Sequence, residues 1–347
     1  MAAWMMYTVG MKEIADAYKN IIGQSAIVQK RILSHSAFVN GCDASVSVLF
    51  TGEAGLGKSK LLEAEKQARA TAVRLRYERE PWVYAIRSPQ EVRLAGPSFA
   101  EFIQACNDGD GVIMDELHEV DLTSTVQLKK VKKILKDLMD GNQGDTRRCV
   151  IDDNCRITRD SADIFFAAGT NYPQQIKDGS AIISRFGGET PLELYKEDEL
   201  TQILLLMAEG KGLRIHEDTI ALIARCGRGT ARPMEHIVKH LDQVAAVSGK
   251  RTINRAETLE AMKLLGLFPF GLTKREVSIM IRSGGAGVRL RDLPTHYAIE
   301  QKAVQQSLSF LCAHGFISLR NGLCEVSPRG TAYLGQLSKE KFSIPTI

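Results

Sequence analysis

The chain contains no C-x-x-C pair among its seven cysteines, whose number is odd and whose spacing is irregular. That excludes a disulfide framework or a zinc ribbon as the source of stability, and a reducing cytoplasm is the simplest home for such thiols. There is no uninterrupted run of about 18 apolar residues, so no membrane span is expected. The start "MAAWMMYTVGMKEIAD" lacks a basic leader, and Lys12 and Glu13 interrupt its apolar character early, so no signal peptide is expected either.

What is present is ordinary in amount and uneven in place. With 347 residues, 44% hydrophobic and 25% charged, the chain reads as a soluble protein of two or three domains. The net charge is +4. From Leu265 onward ten Lys/Arg face five Asp/Glu, a surplus of five that leaves −1 for everything before it. Positive charge gathered in a tail domain suits a segment that faces polyanions.

The strongest local signal is "TGEAGLGKSK", Thr51 to Lys60, between the apolar run "VSVLF" and the helical "LLEAEKQARA". It fits the phosphate-loop pattern G-x-x-x-x-G-K-[ST], with Gly52 and Gly57 at the fixed positions and Gly55 extra. Small residues let backbone N–H groups turn inward around phosphate oxygens, and the following helix N-terminus adds partial positive charge. Lys58 would reach the β and γ phosphates and Ser59 would offer its hydroxyl to Mg²⁺. The whole loop, Gly52, Glu53, Ala54, Gly55, Leu56, Gly57, Lys58, Ser59 and Lys60, is therefore expected to surround nucleotide.

Two later strands carry chemistry toward that loop. "GVIMDELHEVD" is an apolar strand ending in Asp115 and Glu116; the first would hold Mg²⁺ through water and the second would polarise the attacking water. "SADIFFAAGTN" ends on Thr170 and Asn171. Parallel sheets place ligand chemistry at the carboxyl ends of their strands, so Asn171 is placed to orient water near a γ-phosphate; a turn-capping asparagine fits the same position. Between them "RRCVIDDNCRITRD" reads as a hairpin across which Cys149 and Cys155 could face each other, with thiols rather than a bridge expected in a cytosolic protein.

"NIIGQSAIVQKRILSHSAFVNG" reads as a turn and an amphipathic helix whose apolar face is Ile27, Val28, Ile32 and Leu33. After Leu192 four helical segments follow, each closed by Gly: "KEDELTQILLLMAEGKG", "HEDTIALIARCG", "ARPMEHIVKHLDQVAAVSG" and "NRAETLEAMKLLG". His236 and His240 have metal-compatible i, i+4 spacing, but no third ligand accompanies them, and a solvated face is the reading adopted. The tail offers three helices, "TKREVSIMIRS", "LRDLPTHY" and "IEQKAVQQSLSFLCAHG", then two strands about an Asn-Gly turn. That order suggests a winged helix, used on DNA or for protein contacts.

Together these stretches resemble the RuvB family of AAA+ Holliday-junction branch-migration motors, from about Asn20 to Leu334. "NIIGQ" looks like that family's adenine-side segment, bringing in Ile21 and Ile22; "GEAGLGKS" looks like its Walker A, "MDELHEV" its Walker B and "AAGTN" its sensor 1. "IISRFGGETPLELY" is similar to the arginine-finger segment, making Arg185 the residue offered to a neighbouring subunit. "RGTARPMEHIVKHLDQVA" resembles the sensor 2 helix, making Arg232 a γ-phosphate sensor in cis. "SPRG" resembles the winged-helix signature, with Arg329 as a DNA-contact candidate; the tail's positive charge adds Lys302 on its helix and Arg320 on the wing as further DNA candidates.

The resemblance implies an α/β AAA+ P-loop domain with a parallel sheet at 21–190 after a leader at 1–20, a helical lid at 191–264 and a winged helix at 265–340. It also implies ATP and Mg²⁺ as ligands, DNA as partner, a homo-oligomeric ring (a hexamer) and a RuvA-like junction-recognition partner. The chain departs from the family at Glu53-Ala54, where Pro-Pro is usual, in the hairpin "RRCVIDDNCRITRD", which differs from the family's partner-docking hairpin, and in a longer tail hairpin. Two rival readings are an AAA+ switch that loads a helicase or clamp or guides a transposase, and a winged-helix regulator with incidental ATPase.

Overall fold

Apolar runs far apart in the sequence become neighbours in one sheet. In the computed structural model, which describes residues 10–42, 47–86, 107–118, 147–152, 155–159, 164–176, 183–284, 287–289, 292–293, 301–320 and 322–343, β1 is Val48–Thr51, β2 Val83–Ile86 and β3 Gly111–Met114. A hairpin follows, β4 (Arg147–Asp152) and β5 (Cys155–Arg159), then β6 (Phe165–Thr170) and β7 (Glu189–Pro191). Five strands form a parallel sheet in the order β2-β3-β6-β1-β7. Every residue of β1, β3 and β6 is buried. Because successive side chains point to opposite faces, both faces are covered, as parallel sheets require.

Register decides which strand ends meet. Thr51 pairs with Thr170 and Met114 with Ala168, so the residues that follow β1, β3 and β6 emerge together at one edge of the sheet. The start of β3 is pinned by Asp110, a buried carboxylate that accepts from Arg79 Nη1 (2.8 Å), Trp82 N (2.9 Å) and Asn107 N (2.6 Å). The hairpin β4–β5 stands as its own two-stranded sheet. Its register corrects one expectation: Cys149 pairs with Ile157 in the regular ladder, and Cys155, after an irregularity between Val150 and Asp152, pairs with Asp152. The two cysteines are therefore not direct cross-strand partners. Among the described residues Cys42, Cys226, Cys312 and Cys324 are free thiols.

Among the described residues three helices serve this sheet: α1 (residues 10–16), α2 (Ser25–Val39) and α3 (Lys58–Tyr77). Leu61, Leu62, Ala64, Ala68, Ala72 and Val73 of α3 pack with Ile14, Tyr18, Phe38, Val48 and Phe50; burying each large apolar side chain is worth about 1.5–3 kcal/mol. The expected face of α2 is corrected in part. Ile27, Val28 and Ile32 are half-buried against this core, but Leu33 is 56% exposed while Arg31, His35, Ser36 and Phe38 are buried.

The reason is electrostatic. Glu65 of α3 is fully buried, and its carboxylate accepts from Arg31 Nε (2.7 Å) and Nη2 (2.8 Å) and from Tyr18 Oη (2.7 Å), with His35 Nε2 at 2.9 Å. Burial alone would raise its pKa, but Arg31 and His35 outweigh it and hold the carboxyl at about 2. A buried charge is tolerable only when so paired, so α2 turns its polar residues inward.

The chain divides into two units, Met1–Tyr195 and Lys196–Ile347. The second begins with α4 (Glu197–Glu209), α5 (Glu217–Cys226), α6 (Arg232–Ser248) and α7 (Arg255–Leu264), matching the four helical segments read from the sequence. β8 (Arg214–Ile215) and β9 (Thr252–Ile253) tie two of their loops together. Then come α8 (Lys274–Arg282), β10 (Val288–Arg289), α9 (Gln301–Ala313), β11 (Ile317–Arg320), β12 (Leu323–Val326) and α10 (Pro328–Lys339). The expected hairpin is β11–β12; β10 adds a third antiparallel strand and α10 a further helix. The expected helix "LRDLPTHY" lies largely outside the described residues.

α10 closes the tail onto the helical part. Tyr333 Oη donates to Pro269 O at 2.6 Å, Arg228 Nη1 contacts both Glu276 oxygens at 3.0 Å, and the Arg228 guanidinium lies 3.3 Å from the Phe310 ring centroid. His236 is exposed, but His240 is half-buried with Nε2 enclosed. Among the described residues no helix is long and apolar enough to cross a membrane.

Candidate functional site

The loop after β1 turns through Gly52 (φ 146°), Gly55 (φ 88°) and Gly57 (φ 86°), backbone angles that L side chains rarely adopt. At Gly57 space matters as well: a Cβ there would stand 2.6 Å from Tyr195 Oη. That hydroxyl donates to Leu56 O at 2.8 Å, so Tyr195 lies directly on the loop. Lys58 opens α3 and is 5% exposed; its Nζ donates to Gly52 O (2.8 Å) and Glu53 O (2.7 Å). The ammonium is thus held inside the curl of the loop, at the positive end of a 20-residue helix.

Acidic groups meet it from the neighbouring strands. Ser59 Oγ donates to Asp115 Oδ2 at 2.6 Å. Asp115 Oδ1 accepts from Glu116 N at 3.1 Å, and Glu116 takes φ 54°, a left-handed conformation that costs on the order of 1–3 kcal/mol and clusters at functional sites. Its carboxylate receives Asn171 Nδ2 at 3.1 Å to each oxygen. Lys58, Ser59, Asp115, Glu116 and Asn171 are therefore brought together at the carboxyl ends of β1, β3 and β6, where ligands of open parallel sheets bind.

Ile21 and Ile22 are half-buried. Gln24 fastens their segment to the strand leaving β7: Nε2 donates to Glu193 O (2.7 Å) and Glu193 N donates to Oε1 (3.1 Å). This clamp places the turn after Ile22 beside the segment that delivers Tyr195. Arg185 lies on a helical turn, residues 183–185, that leads into the sheet's edge strand β7. Arg232 is exposed at the start of α6 in the second unit. Arg320 and Arg329 are exposed at the end of β11 and the start of α10. The Arg329 guanidinium lies 5.1 Å from the Phe316 ring centroid. Lys302 lies in the first turn of α9, its side chain outside the described residues.

Phosphate and a divalent cation both fit this donor set. The loop presents backbone donors and one buried ammonium, and the hydroxyl–carboxylate pair of Ser59 and Asp115 is the hard oxygen chemistry that Mg²⁺ prefers. Asn171 Oδ1 is buried and, among the described residues, has no hydrogen-bond partner; an acceptor enclosed without a donor suits a site completed by its substrate. Sequence reasoning missed Tyr195 and His118. Tyr195 closes "LELY" with no motif around it but the arginine-finger segment, and His118 stands two residues beyond the acid pair.

No family model matches the chain. It is 25% identical over 308 residues to the RuvB subunit of the Holliday junction branch migration complex of Kosmotoga olearia, covering 86% of this chain and 83% of the relative. To the RuvB subunit of Fervidobacterium nodosum it is 30% identical over 145 residues, 40% of this chain and 42% of that one. Among solved structures, the RuvB Holliday junction branch migration motor of Thermotoga maritima matches with TM-score 0.58 and 21% identity over 90% of this chain and 95% of its own. A point mutant of the same protein matches with TM-score 0.59 and 22% identity, covering 94% and 97%. The fold is therefore that of an AAA+ P-loop protein of RuvB type.

Proposed function

We propose that this divergent RuvB-like AAA+ protein is an ATP hydrolase that assembles into a ring and moves DNA, with Holliday-junction branch migration as its activity. The observation that supports it best is the convergence of Lys58, Ser59, Asp115, Glu116 and Asn171 at three adjacent strand ends, in a chain resembling RuvB proteins along most of its length.

Bound ATP supplies the phosphoanhydride bond whose hydrolysis drives the motor. Gly52 to Lys60 wrap the phosphates, with Lys58 exchanging its two loop carbonyls for phosphate oxygens. Ile21 and Ile22 flank the base. Ser59 and Asp115 hold Mg²⁺, Glu116 takes the proton of the attacking water, and Asn171 orients that water. Arg232 reads the γ-phosphate from the lid (191–264). Arg185 reaches a neighbouring subunit's nucleotide, which makes the ring, a hexamer, a requirement for turnover: an arginine finger supplied in trans is worth ~10³ to 10⁵ in rate. The winged helix (265–340) meets DNA phosphates through Lys302, Arg320 and Arg329, and a RuvA-like protein serves as junction-recognition partner in the cytoplasm.

The test mixes two inactive proteins. Arg185→Ala and Lys58→Ala subunits, each weak alone, should recover hydrolysis when combined, because an intact Arg185 can then face an intact loop. Mixed rings that form and stay inactive would contradict the assignment.

A further inference from the structure

His118 is buried, 5% exposed, although nothing in the proposed chemistry yet uses it. Its Nδ1 stands 2.9 Å from Thr170 Oγ1 and 3.4 Å from Glu116 Oε2. Thr170 is the last residue of β6 and its Oγ1 also accepts from Tyr172 N at 3.1 Å, while the Tyr172 ring meets the imidazole edge-on, with centroids 5.1 Å apart at 82°. One nitrogen therefore faces both the end of the sensor strand and the carboxylate that would serve as base.

The two neighbours of that carboxylate differ in freedom. Asn171 gives both of its Glu116 contacts from a single amide nitrogen; in the proposed hydrolysis that nitrogen leaves Glu116 for the attacking water. His118 is locked by burial, by Thr170 and by Tyr172. Glu116 itself is one-third exposed at the side chain and sits on a strained backbone. With Asn171 gone and no other anchor, its carboxylate would spread over several rotamers, whereas a general base must stay within hydrogen-bond reach of one proton.

We infer that His118 is the positioning residue that keeps the Glu116 carboxylate aimed into the site while Asn171 leaves it for the water. The inference rests on the ATP-hydrolysis reading of this site. It assigns His118 no contact with nucleotide, so its loss alters the rate of turnover and leaves nucleotide affinity alone.

Three variants test it in the full-length protein, with kcat, KM, the ATP dissociation constant and the melting temperature measured for each. His118→Phe keeps the ring beside Tyr172 and removes the nitrogen; kcat should fall roughly ten- to a hundredfold, the loss typical of a misplaced catalytic group, with ATP affinity and melting temperature unchanged. His118→Asn carries an amide nitrogen close to the position of Nδ1 and should recover most of the rate. Thr170→Val removes the other partner of Nδ1 and should lower kcat without raising KM, which keeps the test decisive if His118→Phe fails to fold. Wild-type turnover in His118→Phe or Thr170→Val, or His118→Asn as slow as His118→Phe, would overturn the inference while leaving the ATPase reading intact. A wild-type protein unable to hydrolyse ATP would instead sink that reading and take the inference with it.

Discussion

Ser59 Oγ donates to Asp115 Oδ2 across 2.6 Å, joining the first turn of α3 to the end of β3. The two groups come from segments that share no local sequence and meet because β1, β3 and β6 are in register. Their proximity is what an octahedral cation with several waters needs. Ser59→Ala and Asp115→Asn should each weaken Mg-ATP binding and leave binding of metal-free ATP close to wild type, whereas Lys58→Ala should weaken both. The double variant should lose less than the sum, since the pair acts as one unit. Titration of a fluorescent nucleotide with and without Mg²⁺ measures this, and additive losses would argue against a shared ion.

Gly57 has two independent reasons to be glycine. Its φ of 86° would cost an L residue roughly 1–2 kcal/mol, and a Cβ would collide with Tyr195 Oη. Gly57→Ala should therefore lower the melting temperature and abolish nucleotide binding. Adding Tyr195→Phe should restore part of the stability by removing the oxygen, while the backbone strain stays. Thermal melts of the single and double variants decide it; full recovery would mean that the collision alone matters.

Acid should destabilise the first unit in two stages. His35 is buried and held below its ordinary value of 6.5 by burial, so the unfolded chain takes up a proton that the folded one refuses, and its contribution is lost as pH falls through 6.5. Glu65, held at about 2 against an ordinary 4.5, contributes fully above 4.5 and loses that contribution as pH falls from there toward about 2. Glu65→Gln should cost about 3–5 kcal/mol at neutral pH, because Arg31 stays buried without its partner, and should flatten the lower stage; His35→Gln should flatten the upper one. Calorimetric melts from pH 7.5 down to about 2 provide the comparison.

Much of this could be read from the sequence, and the remainder fails for identifiable reasons. β1, β3, β6 and α4 to α7 carry strong apolar periodicity and clear stops, and the phosphate loop carries a fixed spacing. The inward polar face of α2 could not be read, because it depends on Glu65, which arrives from another helix. Hairpin register could not be read either: it depends on where the turn closes, and one irregularity between Val150 and Asp152 moves the partner of Cys155. Tyr195 and His118 act through contacts with Leu56 and Thr170, residues far from them in the chain, and no local pattern marks such pairs.

At the wing, Arg320 ends β11 opposite Leu323 and is exposed. Arg320→Ala should weaken DNA binding and reduce the log-log salt slope by about one, the signature of one lost phosphate contact, without changing DNA-independent ATP hydrolysis. Arg329→Ala should add a similar loss together with lower stability, since that side chain also covers Phe316. An unchanged slope in both variants would make this tail a protein-docking module.

The central claim, that hydrolysis at this site moves DNA, is tested most directly on a synthetic four-way junction with homologous arms, following strand exchange in real time. Wild-type protein with Mg-ATP should convert the junction to duplex products, alone or with a junction-recognition partner, while Glu116→Gln should bind ATP and junction and convert nothing. Conversion by Glu116→Gln at the wild-type rate, or ATP-dependent junction binding by wild type with no strand exchange under any condition, would contradict the account.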